Sequence, residues 1–235
     1  MKISSLIPGV RLKLGNRGDV DDQITIWLAE AIRNLSVNFP FTELQVIGNT
    51  TTFNPQGIVQ TNYPVSYFMN STNDDLAFID TWWYWFSGTS GAGQVLKYRN
   101  PAAIMSLMQL GSIGGGNPTY WTRFGNQVMV AMPPSAAFNT FWLYQRKHPF
   151  PEFGNVGAVA DSTIMLPDEW TDVIKTVAAI KGAPDVEMVE KIPIWQKLLY
   201  GDPKTTGNPG FIKALTSQYE RDSARNERQI SFVVE

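Results

Sequence analysis

The chain contains no cysteine and a single histidine, His148. The first absence excludes a disulfide framework, thiolate zinc sites and cysteine nucleophiles, and it leaves the redox compartment open. With one histidine there is no two-histidine metal site. A Ser-His-Asp arrangement would have to use His148, yet no G-x-S-x-G motif accompanies it. Charge is also sparse: Asp, Glu, Lys and Arg make up 17% of 235 residues, and the formal net charge is -2. No basic run of the kind that attracts a phosphate backbone is present, so sequence-specific nucleic-acid binding is not expected. Before Pro8 and Gly9 there is no apolar core of signal-peptide length, and no later segment approaches a membrane span. That pattern predicts a protein made and used in the host cytoplasm or released by lysis.

The polar clusters that remain fit structural positions. Asp19, Asp21 and Asp22 precede an apolar-periodic stretch, where negative charge suits the positive end of a helix dipole. A calcium loop would need a glycine and a later bidentate glutamate that are missing. GSIGGGNP, residues 111–118, is followed by a strand pattern and not by the Lys-Ser/Thr and helix of a phosphate cradle. Asp74-Asp75 and Asp168-Glu169 fall where a turn and a helix start want them. The reading is of a protein that is not an enzyme, with no catalytic residue, metal site or cofactor.

Hydrophobic residues reach 43%, ample for a core in a chain of this length. The low charge leaves two options for the surface: cover by partner subunits, or solvation by abundant Asn, Gln, Ser and Thr. Ile24, Trp27, Leu28, Ala31, Ile32 and Leu35 recur at helical spacing, which predicts a helix over about 20–36. Further helices are predicted over about 101–110, where Asn100-Pro101 supplies a cap and a first-turn proline, and over 167–181, 186–200 and 210–219. Pro193 is expected to break or kink the fourth of these. Met1 to Arg17 reads as an irregular arm, and Pro149 to Thr163 as a long loop.

Residues 39–99 and 119–148 are strand-rich, with strands expected at Leu44 to Ile47, Val65 to Met69, Phe78 to Phe86 and Val95 to Tyr98. Within the first region TWWYWFSG, Thr81 to Gly88, places consecutive aromatics on opposite faces of a strand. Trp82 therefore belongs to one layer, and Trp83 with Trp85 to another that a core, a subunit interface or a ligand must cover. Core plus interface is the commoner arrangement, and a carbohydrate platform is the alternative. In the second region Tyr120 to Phe124, Gln127 to Met132 and Phe138 to Arg146 form three runs separated by Gly125-Asn126 and Pro133-Pro134-Ser135, the pattern of a three-strand meander. Beyond Tyr219 the apolar stripe stops, and ERDSARNERQ leads to an alternating tip, Ile230, Phe232 and Val234.

An acidic-capped first helix, the aromatic meander ending in Tyr144 and Arg146, later helices and a charged C-terminal extension, in that order, resemble the head-to-tail adaptor proteins of tailed bacteriophages. The resemblance implies an α+β fold: a helical domain with a small antiparallel β-meander or sheet region and an extended C-terminal arm. It divides the chain into one globular domain, 1–218, and an extension, 219–235. It further implies a structural neck protein of the virion that joins the portal of the head to the tail within a dodecameric ring. The partners would be the portal protein, copies of the chain itself and a downstream neck or tail protein, with no membrane. Arg221, Arg225, Arg228, Ile230, Phe232 and Val234 would then meet the portal. The competing class is a tail-associated carbohydrate- or receptor-binding module with Trp82 to Trp85 as its platform.

Overall fold

In the computed structural model the described residues are 1–48, 51–53, 62–64, 76–86, 94–109, 119–125, 127–131, 138–202 and 209–217. The fold is α+β. Residues 1–218 were expected to form one domain; the chain instead divides into two compact units, Met1–Leu35 with Phe150–Glu235, and Ser36–Pro149. The extension 219–235 and the expected strand at Val65 to Met69 lie outside the described residues.

The first unit is helical, and its N-terminal segment is part of the core, not an arm. A 3-10 turn, Ile3–Leu6, runs into α1, Ile7–Lys13, and Ile3, Leu6, Val10 and Leu14 are all buried. Their three-and-four spacing is a helix face. Pro8 sits in the first turn of α1, where its missing N–H costs no hydrogen bond. Gly15 and Asn16 then turn the chain with φ of 72° and 62° into α2, Asp21–Asn38. Proline and glycine mark the ends of this helix, which is why composition alone reads the segment as irregular.

The same logic applies to Pro193. It occupies the first turn of α6, Ile192–Tyr200, after a 3-10 turn at Val189–Lys191, so it starts a helix where a kink was expected. The predicted helix at 167–181 is a 3-10 turn, Asp168–Trp170, followed by α5, Thr171–Gly182. Within the expected loop 149–163, a short helix α4, Val156–Ala160, is capped by Asn155, whose side-chain oxygen accepts from the Ala158 N–H at 3.1 Å. Residues 211–217 form α7. Gly182 of α5 lies flat against the Trp27 ring of α2, so the indole occupies the space a Cβ would need. That contact lets α5 bury Val173, Ile174, Ala178 and Ala179.

The second unit holds two sheets that share one core. In the first, β4, Leu76–Phe86, runs antiparallel to β9, Phe138–Arg146, along nearly its whole length. β9 also pairs with β1, Gln45–Ile47, and β2, Thr51–Phe53. In the second, β7, Tyr120–Phe124, and β8, Gln127–Ala131, form a hairpin whose Gly125 has φ of 57°. The expected meander therefore ends at two strands: β9 leaves the hairpin for the other sheet, and β3, Asn62–Pro64, takes the free edge of β8. The reason is length, because β4 is the partner long enough to satisfy nine residues of β9 ladder.

One strand run joins the sheets. β5, Gln94–Val95, pairs with β4, and β6, Lys97–Tyr98, pairs in parallel with β7. Buried Leu96 lies at the crossing: its N–H donates to the Trp82 carbonyl at 2.8 Å, and the Lys97 N–H donates to Thr119 at 2.9 Å. Strands that change sheet at such a corner are a known way to close two-layer β structures. The ends of β4 and β7 are also tied, since Arg123 donates to the Ala77 carbonyl at 2.8 Å. α3, Pro101–Gln109, packs outside β7, with Asn100 accepting from the Ala103 N–H at 2.7 Å and Ile104 buried.

The fully buried Gln145 of β9 fixes the chain that enters this sheet. Its Oε1 accepts from the Phe41 N–H at 2.8 Å, and its Nε2 donates to the carbonyls of Phe39, at 2.7 Å, and Ser36. The Ser36 carbonyl is among those left without a helical partner at the end of α2. The Ser36 hydroxyl in turn accepts from the His148 N–H at 3.1 Å. Replacing Gln145 with Leu leaves a buried donor and two buried carbonyls short of a partner. This is expected to lower stability by about 3 kcal/mol in urea unfolding; a loss under about 1 kcal/mol would show the clamp to be redundant. Thr122 supplies the opposite sign. Its buried hydroxyl has no partner among the described residues, so Thr122→Val is expected to raise stability by about 1 kcal/mol.

Candidate functional site

The aromatic octet of β4 is resolved at its first members. Trp82 is fully buried, between Trp121 and Trp142 at ring-centroid distances of 6.2 and 6.5 Å, both edge-on. Leu76, Ile79, Leu96, Val128, Val130 and Tyr144 complete the cluster. Edge-to-face indoles meet positive ring edges with negative faces, which adds to the burial of three large rings. Gly48 makes room for Trp142: a Cβ there would overlap the indole nitrogen, and the Gly48 N–H donates to the Trp142 carbonyl at 2.9 Å.

Trp83 points to the opposite face and is half-buried, with its ring 5.2 Å from that of Phe141 on the neighbouring strand. The Trp85 side chain lies outside the described residues, as do Arg221, Arg225, Arg228, Ile230, Phe232 and Val234. Tyr98 is exposed, with its ring 5.0 Å from Trp121, and the Arg99 guanidinium sits 5.1 Å above Tyr120. Reading the sequence finds the aromatic runs. It misses that Trp121 and Trp142, from different runs, close over Trp82, and that Gly48 is the gap they need; the spacing of aromatics within one strand holds no signal for that pairing.

Among the described residues no three His, Asp or Glu side chains come together as metal ligands. His148 is buried just past the end of β9. Asp168 and Glu169 are exposed in the turn that opens α5. No helix among the described residues is long and apolar enough to cross a membrane.

Ahead of α2, Arg17 grips Asp19 through two hydrogen bonds of 2.8 and 2.7 Å. These bonds, aided by one from the Asp19 backbone, hold that carboxyl at about 2, below its ordinary 3.8. A depressed carboxyl stabilises the fold while ionised, so the contribution is present above about pH 3.8 and is lost as pH falls through 2. Both side chains are more than half exposed, so the effect is small and salt-sensitive. A carboxyl-carbon NMR titration is expected to place Asp19 near pH 2, and Arg17→Ala to return it toward 3.8. A wild-type midpoint near 3.8 would remove the pair from the account.

The two faces of β4 make a second comparison. Trp82→Ala is expected to cost roughly 3–5 kcal/mol, and Trp83→Ala distinctly less, because only the first ring is fully enclosed. Thermal unfolding of both variants measures this, and equal losses would mean that the outer face of β4 is packed as tightly as the inner one.

No curated protein matches the chain. A family described as SU10 adaptor protein matches residues 1–187, which covers α1 to α5 and both sheets of the second unit. The chain belongs to that family of bacteriophage head-to-tail adaptor proteins.

Proposed function

We propose that the chain is a structural neck protein of the virion, one copy of a dodecameric ring that joins the portal to the tail and carries out no turnover. The family match over residues 1–187 carries this reading. Burial of Trp82 between Trp121 and Trp142 supports it over a glycan-binding module, since a sugar platform would lose one of its rings to the core. The match ends well before residue 219. The portal contact is assigned to the C-terminal extension on the strength of its composition: Arg221, Arg225 and Arg228 suit acidic side chains, and Ile230, Phe232 and Val234 suit an apolar groove or an exposed strand edge. The Asp222 and Arg225 pair supports a helical stem. Host cytoplasm is the place of assembly.

Two measurements test this. The purified chain is expected to run as a monomer near 26.3 kDa in size-exclusion with light scattering, and to form a ring only on portal-bearing heads. A stable ring without portal would count against the proposal. Truncation after Tyr219 is expected to leave the melting temperature unchanged and to abolish attachment to heads. Normal attachment would move the contact away from the extension.

A further inference from the structure

α6 carries more apolar surface than its own unit covers. Trp195 and Leu199 are buried, 7% and 1% exposed, while Ile194 and Leu198 on the same helix are 53% and 39% exposed. At ~100° per residue, Ile192, Leu199, Trp195, Leu198 and Ile194 form one apolar arc of about 160°, wider than the roughly 100° stripe that one packed layer needs. Exposed apolar side chains continue at both ends of the helix. Val189 precedes it, and Phe211 opens α7, whose Gly210 presses on the backbone of Leu199 to Gly201. Elsewhere in this unit the exposed large apolar residues are Met1 and Leu12.

We infer that the outer face of α6, centred on Ile194 and Leu198, is a contact with a second copy of this chain. The inference rests on the ring reading above and adds to it the surface by which neighbours meet. Area is the first argument. The patch amounts to a few hundred Å², the size at which exposed apolar surface is usually functional. It is well short of the roughly 800 Å² per partner of a stable two-body interface. Such a face does not hold two free copies together, yet it contributes once a template sets copies side by side and raises their effective concentration. Charge is the second argument. Lys191 and Lys213 flank the patch, and exposed Asp168 and Glu169 open α5 of the same unit, so one chain carries both halves of a complementary, head-to-tail contact.

Because the chain has no cysteine, Ile194→Cys creates a single attachment point for a thiol-reactive benzophenone. The labelled full-length protein is loaded onto portal-bearing heads, irradiated and mapped by mass spectrometry. Adducts between two copies of this chain are expected. If the ring is visible on the particle but the adducts run only to portal, only to residues 218–235, or to nothing, the inference is wrong while the ring reading stands. If no ring forms on the particle, both fall. A second arm uses Ile194→Lys with Leu198→Lys, which replace exposed side chains and should leave the melting temperature unchanged. Occupancy on heads is expected to drop at least tenfold; undiminished occupancy by this folded variant would also overturn the inference.

Discussion

The burial of Trp82 is the constraint on which the second unit depends. Its ring must be enclosed from two directions, by Trp142 from the neighbouring strand of its own sheet and by Trp121 from the other sheet. That requirement sets the register of β4 against β9, where Trp82 lies opposite Trp142. It requires a residue without a side chain at position 48, since the Trp142 indole fills that space. It also explains the sheet change at Leu96, whose N–H is held by the Trp82 carbonyl just as the chain passes from β4 to β7. A slip of one residue in β4 would turn Trp82 outward and bring Trp83 inward, so the pairing is fixed by the largest side chain available.

A second requirement is polar. The helical end of α2 leaves carbonyls that need partners, and the chain must turn at once into a short 3-10 segment, Thr42–Leu44, and then β1. Gln145 serves both needs, because an amide carries an acceptor and two donors and so serves the Phe41 N–H and the two carbonyls together. A glutamate has no donors, and a leucine has neither. The neighbouring residue Tyr144 faces the apolar core, so adjacent positions of β9 face opposite environments, one apolar and one hydrogen-bonded.

Much of this was legible in the sequence, and the failures have a common cause. Periodicity marked α2 and α5 to within a few residues, and the strand pattern marked β7, β8 and β9. Local signals also placed Asn100 as a cap and Gly125 at a turn. What could not be read was partnership. The three runs from Thr119 onward look like a meander because consecutive strands usually pair, yet β9 belongs with β4, more than fifty residues earlier. Proline misled twice, at Pro8 and Pro193, because the residue that breaks a helix interior is equally at home in a first turn. Gln145 left no signal at all, since a glutamine on an aromatic strand reads as a solvent-facing position until the helix end above it is seen.

The helical unit shows the opposite balance, with surplus apolar surface where the β unit has none to spare. The close approach of Gly182 to Trp27 draws α5 against α2 and uses up the apolar face of both. α6 then packs Trp195 and Leu199 inward and has Ile194 and Leu198 left over. In a helix of nine residues, polar choices at those two positions would be easy and would improve solubility. Keeping them apolar costs little as long as the patch stays too small to drive association on its own. A protein that must remain single until a template presents its site is held between these limits: enough apolar area to favour neighbours at high local concentration, and too little to favour them in dilute solution.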